Sequence, residues 1–265
     1  MTFAVISDIH GNIVALRAAL AEIGRAGADR LLVLGDLFGA GHVEDVLAEL
    51  RGCGALIIRG NGEDYQLEND GALWEQYDQF AELRAIRRAL TPEHMRWIAA
   101  LPSQIALVYP GVSLRMVHGS PRANNENLLS GDAAVLRRAL RMTREAVLLC
   151  GHSHRAILKQ SGGRYICNAG SVGQNFDSAC TADVTFITCE GGELAFDQRR
   201  VPYDFEAWRQ VAGNLPYARI CLRGTEQERL LWLDFLAEAK RRGGWPCPND
   251  VWNGLFAEWE EKGLV

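Results

Sequence analysis

Over its first sixty residues the chain alternates short apolar runs with amphipathic stretches, and this alternation restricts the fold more than any other feature. "TFAVIS", residues 2–7, has no polar face and predicts a buried strand. "IVALRAALAEIGRAG" follows, with Ile13, Leu16, Leu20 and Ile23 at helical spacing and Gly24 or Gly27 as a stop. "RLLVLG", "VEDVLAELRG" and "ALIIRG" then repeat the order strand, helix, strand. Strands separated by helices of about ten residues or more form βαβ units, and these build a parallel sheet.

The same patterns organise the remainder. Residues 65–101 are helical in pattern, with a break at Thr91-Pro92, where "TPEH" has the form of an N-cap followed by Pro at the first helical position. "QIALVYPGVSLRMVHG" predicts a hairpin about Pro110-Gly111, and "EAVLLCG", "RYICNAG", "DVTFITC" and "ELAFDQRRV" predict further strands. From Asp204 onward the pattern is helical again and holds Trp208, Trp232, Trp245, Trp252 and Trp259. The expected organisation is therefore a core domain of residues 1–203 and a helical C-terminal extension of residues 204–265, packed on the core or at a homodimer interface.

With 48% hydrophobic residues in 265, there is ample material for a large core. The net charge of −5 disfavours nucleic acid as a partner, because duplexes are gripped mainly by neutralising phosphates. Cys53, Cys150, Cys167, Cys180, Cys189, Cys221 and Cys247 are scattered singly, which fits reduced thiols better than a disulfide framework. "MTFAVISDIHG" has no positive n-region, and its apolar stretch is too short for a signal peptide or membrane span. A cytoplasmic protein without membrane contact is expected.

The residues just beyond each strand are more specific. Asp8, His10 and Asn12 come after the first, Asp36 after the second and Asn61 after the third; His118 comes after "LRMV", and His152 and His154 after "VLLCG". In open α/β sheets, ligands bind beyond the carboxyl ends of the strands. Each fragment alone has a plainer reading: Asp8 or Asn12 as a helix cap, Asn61-Gly62 as a hairpin turn. The turn is disfavoured because "EDYQLEND" does not alternate like a returning strand. Taken together, Asp, Asn and His suit intermediate divalent ions, whereas structural zinc usually favours Cys. Asn12 apart, the seven remaining side chains, two Asp, one Asn and four His, are too many for one ion and suit two, roughly 3.5–4 Å apart with one shared carboxylate.

The fragments "DIH", "GDLFG", "GNGED", "VHGSP" and "GHSH" resemble, in order, the blocks of the calcineurin-like metallophosphoesterase superfamily. Longer strings such as "SDIHGNIVAL", "TPEHMRWIAALPS", "NAGSVGQNFD" and "RVPYDFEA" resemble its compact prokaryotic phosphodiesterase branch. The resemblance implies an α/β fold of two packed mixed β-sheets flanked by helices, a four-layer α/β/β/α sandwich. It implies that Asp8, His10 and His154 hold one metal, that Asn61, His118 and His152 hold a second, and that Asp36 bridges them and positions a hydroxide nucleophile. Two divalent ions are implied, Mn first, with Fe, Ni, Zn, Co or Mg as alternatives. The substrate would be a small or nucleotide-derived phosphoester, most simply a phosphodiester. A phosphoprotein phosphatase, a nuclease of the same fold, or a non-catalytic metal-binding scaffold are the competing readings.

The chain also departs from that family's pattern. Many members carry His directly after the metal-binding Asn, where it stabilises or protonates the leaving group; here the residue is Gly62. His42, in a loop after a strand, is a candidate substitute acid. Asn12, Arg122 and Arg155 are candidate substrate contacts, while Ser120 and Ser171 are read as loop structure and His94 as a surface residue. The glycines of "NAGSVGQ" are expected to allow a tight backbone path near the second metal.

Overall fold

The computed structural model describes residues 1–39, 42–68, 71–128, 133–175, 180–212 and 226–263, with backbone only for 226–233. Cys221 and the side chain of Trp232 lie outside the described set. The first sheet contains β1 (Thr2–Ile6), β2 (Arg30–Val33), β3 (Leu56–Ile57), β9 (Thr181–Glu190) and β10 (Glu193–Pro202), in the order β10-β9-β1-β2-β3. β1, β2 and β3 run parallel, while β9 pairs antiparallel with both β1 and β10. The second sheet contains β4 (Gln104–Tyr109), β5 (Val112–Val117), β6 (Val147–Cys150), β7 (Ala156–Ser161) and β8 (Arg164–Ala169), in the order β4-β5-β6-β8-β7.

The absence of a polar face on β1 has its cause in this stacking. Successive side chains of a strand point to opposite sides, and both sides of β1 are covered. Phe3 and Val5 share a cluster with Leu114, Met116, Val147 and Leu149 of the second sheet. Ala4 and Ile6 pack in another with Leu16 and Ala19 of α1 (Ile13–Ala26) and Val46 and Leu47 of α2 (Val43–Gly52). On the far side, Leu148, Cys150 and Ile166 meet Ala139 and Leu140 of α7 (Ala133–Arg141). The layers are therefore helix, sheet, sheet, helix, as the resemblance implies.

Local chemistry sets the boundaries. α1 is capped by Asn12, whose side chain accepts from the Ala15 N–H, and it ends at Gly27 in the left-handed region, φ 66°. The "NG" pair makes no hairpin: α3 (Asn61–Glu68) starts at Asn61 directly after β3. α4 (Gly71–Gln76), a short 3₁₀ turn (Asp78–Phe80), α5 (Ala81–Ala89) and α6 (Pro92–Ala100) come next. Thr91 caps α6 by accepting from the His94 N–H. His94 is buried rather than on the surface: its Nδ1 accepts from the Thr91 N–H and its Nε2 lies 3.1 Å from Glu44 Oε1.

One strand has no counterpart in the sequence pattern. β7 is an edge strand with Leu158, Lys159 and Gln160 exposed, so it carries little of the apolar signal that marks buried strands. The C-terminal segment divides in two. Phe205 and Trp208 of α8 (Phe205–Ala212) pack with Val14 of α1. Further on, α9 (Glu226–Gly243) and α10 (Asn249–Glu261) form their own cluster around Phe235, Trp252, Leu255 and Trp259. That pair docks on the 3₁₀ turn: Asn249 Oδ1 accepts from Asp78 N, and the Cys247 N–H donates to Gln79 Oε1. No helix among the described residues is long and apolar enough to cross a membrane.

Candidate metal centre

Because β1, β2 and β3 are parallel, and β5 and β6 are parallel, their carboxyl ends bring Asp8, Asp36, Asn61, His118 and His152 together. Two groups of ligand atoms form there, each within 4.8 Å: Asp8, His10 and His154, and Asp36, His118 and His152. Asn61 joins the second, with Oδ1 3.0 Å from His118 Nε2. The carboxylates lie between the groups. Asp36 Oδ2 is 3.4 Å from His118 Nε2 and 3.8 Å from His10 Nε2. Asp8 Oδ1 is 3.3 Å from His154 Nε2 and 3.9 Å from His118 Nε2.

The backbone bends to place them. Asp8, His10, Asp36, His152 and His154 all have positive φ, between 47° and 64°. Such conformations cost on the order of 1–3 kcal/mol each in non-glycine residues and persist only where the surroundings enforce them. Here main-chain bonds tie the two loops together: Asp8 N to Gly35 O, His10 N to Asp36 O and Gly11 N to Leu37 O, each 3.0 Å. The His152 N–H adds a 3.0 Å bond to Asp8 Oδ2. The "NAGSVGQ" path runs beneath the first group rather than the second. Gly173 donates its N–H to Asp8 O, and a Cβ there would sit 1.9 Å from Ile9 O. The Ser171 hydroxyl donates to Asp8 O at 2.8 Å, a loop-bracing bond.

The donor set fits divalent ions. His118 Nδ1 lies 2.7 Å from Leu34 O and His154 Nδ1 lies 2.6 Å from Gln174 O. A carbonyl oxygen only accepts, so both Nδ1 atoms carry hydrogen and both Nε2 lone pairs can face an ion. Asp8 Oδ1 is buried and has no hydrogen-bond partner, while His10 Nε2 and His154 Nε2 converge to 3.1 Å. A buried carboxylate oxygen without a donor is expensive, and a cation between these atoms resolves both features. The potentials agree. Burial pushes the Asp36 carboxyl up, but the His118 and His10 charges outweigh it and bring it to about 2. Burial likewise opposes charge on His118, yet Asp36 and Asp8 raise it to about 10. Burial and the His118 charge lower His152.

Other candidates are placed differently. Asn12 is fully buried, its amide capping α1 and donating to Gly173 O at 3.3 Å, so it has no face for a substrate. His42 precedes α2, with Nδ1 2.7 Å from Asp45 Oδ2, and is not in either ligand group. The Arg122 guanidinium pairs with Glu126 at 2.5 Å. Arg155 comes directly after His154, and its Nε is buried without a hydrogen-bond partner.

Two further acids were not singled out by the sequence pattern. Glu63 is buried and accepts from Asp36 N at 2.9 Å, Leu37 N at 2.8 Å and Gly60 N at 2.8 Å. It thereby locks the Asp36 loop to the start of α3. Burial and the Asp36 charge raise it to about 7 against the pull of those amides. Its signal was legible: Glu at the third helical position reaching back to the N-cap amide is half of a capping box. Glu82 of α5 lies near enough to His10 to contribute to the carboxylate field that raises it, after Asp8 and Asp36 and against burial.

The calcineurin-like phosphoesterase superfamily domain matches residues 1–190. An uncharacterized protein of Methanocaldococcus jannaschii is 25% identical over 232 residues, which is 80% of this chain and 92% of that protein. In fold, the chain is similar to a metallophosphoesterase from Sphaerobacter thermophilus (TM-score 0.66, 24% identity, 84% of this chain and 99% of the other). It is also similar to a hypothetical protein from Pyrococcus horikoshii (TM-score 0.68, 20% identity, 87% and 96%). With the family domain spanning the residues whose Asp and His side chains converge on this two-part centre, the chain belongs to the calcineurin-like phosphoesterase superfamily, as a metal-dependent phosphoesterase.

Proposed function

We propose that the enzyme hydrolyses small phosphodiesters, nucleotide-derived species among them, with two divalent ions of which Mn²⁺ is the first choice. The observation that carries the two-ion reading is the pair of ligand groups with Asp36 between them. Asp8, His10 and His154 would hold one ion; Asn61, His118 and His152 would hold the other. When bound, two such ions bring the pKa of a shared water from 15.7 to about 7 and polarise phosphoryl oxygens.

The chain's own residues favour a diester. Arg122, which would meet a second phosphate charge, is paired with Glu126, leaving Arg155 as the candidate cation. A diester carries one negative charge and a monoester up to two, so the former asks less of the protein's cations. Glu82 near His10 and the net charge of −5 act against polyanionic nucleic acid. Cys53, Cys150, Cys167, Cys189 and Cys247 are free thiols, which supports a reducing, cytoplasmic setting. A homodimer through the C-terminal helices would use exposed Trp245, since Trp252 and Trp259 are buried within the chain.

The test is hydrolysis of bis-(p-nitrophenyl) phosphate against p-nitrophenyl phosphate with Mn²⁺, Ni²⁺, Mg²⁺, Zn²⁺, Co²⁺ or Fe²⁺. Faster diester turnover, strongest with Mn²⁺, is expected. Preference for the monoester would overturn the diester reading, and no turnover with any ion would favour a scaffold.

A further inference from the structure

One loop serves both ligand groups. It follows β6 as Gly151, His152, Ser153 and His154, and gives His154 to the first group and His152 to the second. The two histidines stand at φ 55° and 64°, a backbone that its surroundings must enforce. Within the loop, the Ser153 N–H donates to Gly151 O at 2.7 Å. A side chain from outside adds to this: Asn168 of β8, which stands opposite Cys150 of β6 in the parallel register.

Asn168 is buried, and both ends of its amide are engaged. Nδ2 donates to Gly151 O at 2.6 Å and to Ser153 Oγ at 2.9 Å. Oδ1 accepts from the Gly170 N–H at 3.0 Å. A carbonyl only accepts and a backbone N–H only donates, so the orientation of the amide is fixed. The Gly170 end leads back to the same centre. From residues 170–174, the Ser171 hydroxyl and the Gly173 N–H both donate to Asp8 O, and Gln174 O faces His154 Nδ1 at 2.6 Å. One planar group thus ties the loop that presents His152 and His154 to the loop that braces Asp8.

We infer that Asn168 is a positioning residue for both metal ions, one that ligates neither and holds the ligand-bearing loop in register with the loop beneath Asp8. This rests on the two-ion reading of the same centre. Without Nδ2, Gly151 O keeps one of its two donors and Ser153 Oγ loses the one from Asn168. Both acceptors are buried, where an unmet hydrogen bond is expensive. The loop relieves that cost by relaxing its positive-φ turns, and His152 and His154 then leave the places where ions need them.

Asn168→Ala removes the amide. Calorimetric Mn²⁺ titration, on protein that circular dichroism shows to be fully folded, should find both ions bound about 10–100-fold more weakly. The visible absorption of the Co²⁺-loaded protein, which follows ligand geometry, should shift. A merely structural role would lower the urea midpoint of the metal-free protein and move neither readout. Unchanged affinity, an unchanged Co²⁺ spectrum or a loss confined to one ion would each overturn the inference. Ser153→Ala keeps the amide and removes one of its acceptors, so it should weaken both ions about fivefold in the wild type and by less than about twofold beside Asn168→Ala. Equal losses in the two backgrounds would also overturn it. If Asn168→Ala does not fold, Ser153→Ala decides alone, and unchanged affinity overturns the inference. Wild-type protein that binds one Mn²⁺ or none would overturn the two-ion reading itself, an outcome visible before any variant is made.

Discussion

On the proposed ligand assignment, loading the centre with metal evicts a proton from His118, and the charges around that imidazole set the direction of the competition. In the metal-free protein, Nδ1 donates to Leu34 O, and Nε2 faces Asn61 Oδ1 at 3.0 Å, Asp36 Oδ2 at 3.4 Å and Asp8 Oδ1 at 3.9 Å. Every neighbour of Nε2 in that set is an acceptor, so Nε2 also carries hydrogen, and the carboxylates outweigh burial to raise the imidazole from 6.5 to about 10. A divalent ion needs that lone pair. Below pH 10 the second ion's affinity should therefore fall about tenfold per pH unit through this group, by about 1,000-fold or about 4 kcal/mol at pH 7. The same shift stabilises the metal-free fold. With the folded pKa above the unfolded one, the contribution is complete below pH 6.5 and is lost as pH rises through 10. Asp36 acts with the opposite sign: its folded pKa of about 2 lies below 3.8, so its contribution is complete above 3.8 and is lost as pH falls through 2. Calorimetric Mn²⁺ titration at pH 6.5, 7.5 and 8.5, in buffers of different ionisation enthalpy, measures both affinity and protons released. His118→Asn should release about one proton fewer than wild type and lose that part of the pH slope. Equal release by the two proteins, or wild-type affinity flat from pH 6.5 to 8.5, would refute the reasoning.

Three further outcomes rest on named contacts. Glu63→Gln leaves one of the three amides of Asp36, Leu37 and Gly60 facing an NH₂ group, so it should destabilise by about 1–3 kcal/mol and weaken metal binding about 10–100-fold, read by urea denaturation and Mn²⁺ titration. Thr91→Ala removes the cap of α6 and should cost about 1 kcal/mol in urea denaturation while metal binding stays unchanged. Phe235→Ala empties the centre of the cluster formed with Trp252, Phe256 and Trp259 and should cost about 3–5 kcal/mol, seen as loss of tryptophan fluorescence signal at lower urea, again with metal binding retained.

Much of the centre was legible because its residues are tied to local pattern. A strand covered on both faces is apolar throughout, and the first polar residues after it stand where the sheet opens. Asp8, His10, Asp36, Asn61, His118, His152 and His154 are visible for that reason, and "NG" is distinguished from a hairpin by the helical run after it. β7 was not legible, since an exposed edge strand has no apolar face to reveal it. Asn12, Arg122 and His42 have suitable chemistry and neighbours in the sequence, yet each is engaged elsewhere, by Gly173 and the start of α1, by Glu126 and by Asp45.

Sequence alone thus determined the alternation of strands and helices, through apolar periodicity, and the positions of the candidate ligands, through the residue that stands at each strand end; the two-sheet layering came from the family resemblance. The tertiary structure decided the rest. His10 and His154 are 144 residues apart and meet at 3.1 Å, His118 is oriented by Leu34 across the two sheets, and Glu63 takes its meaning from the Asp36 loop. The physical reason is that periodicity reports burial, a property each strand or helix carries by itself. Charge, tautomer and hydrogen-bond direction depend on distances between elements, and these exist only once the sheets have packed.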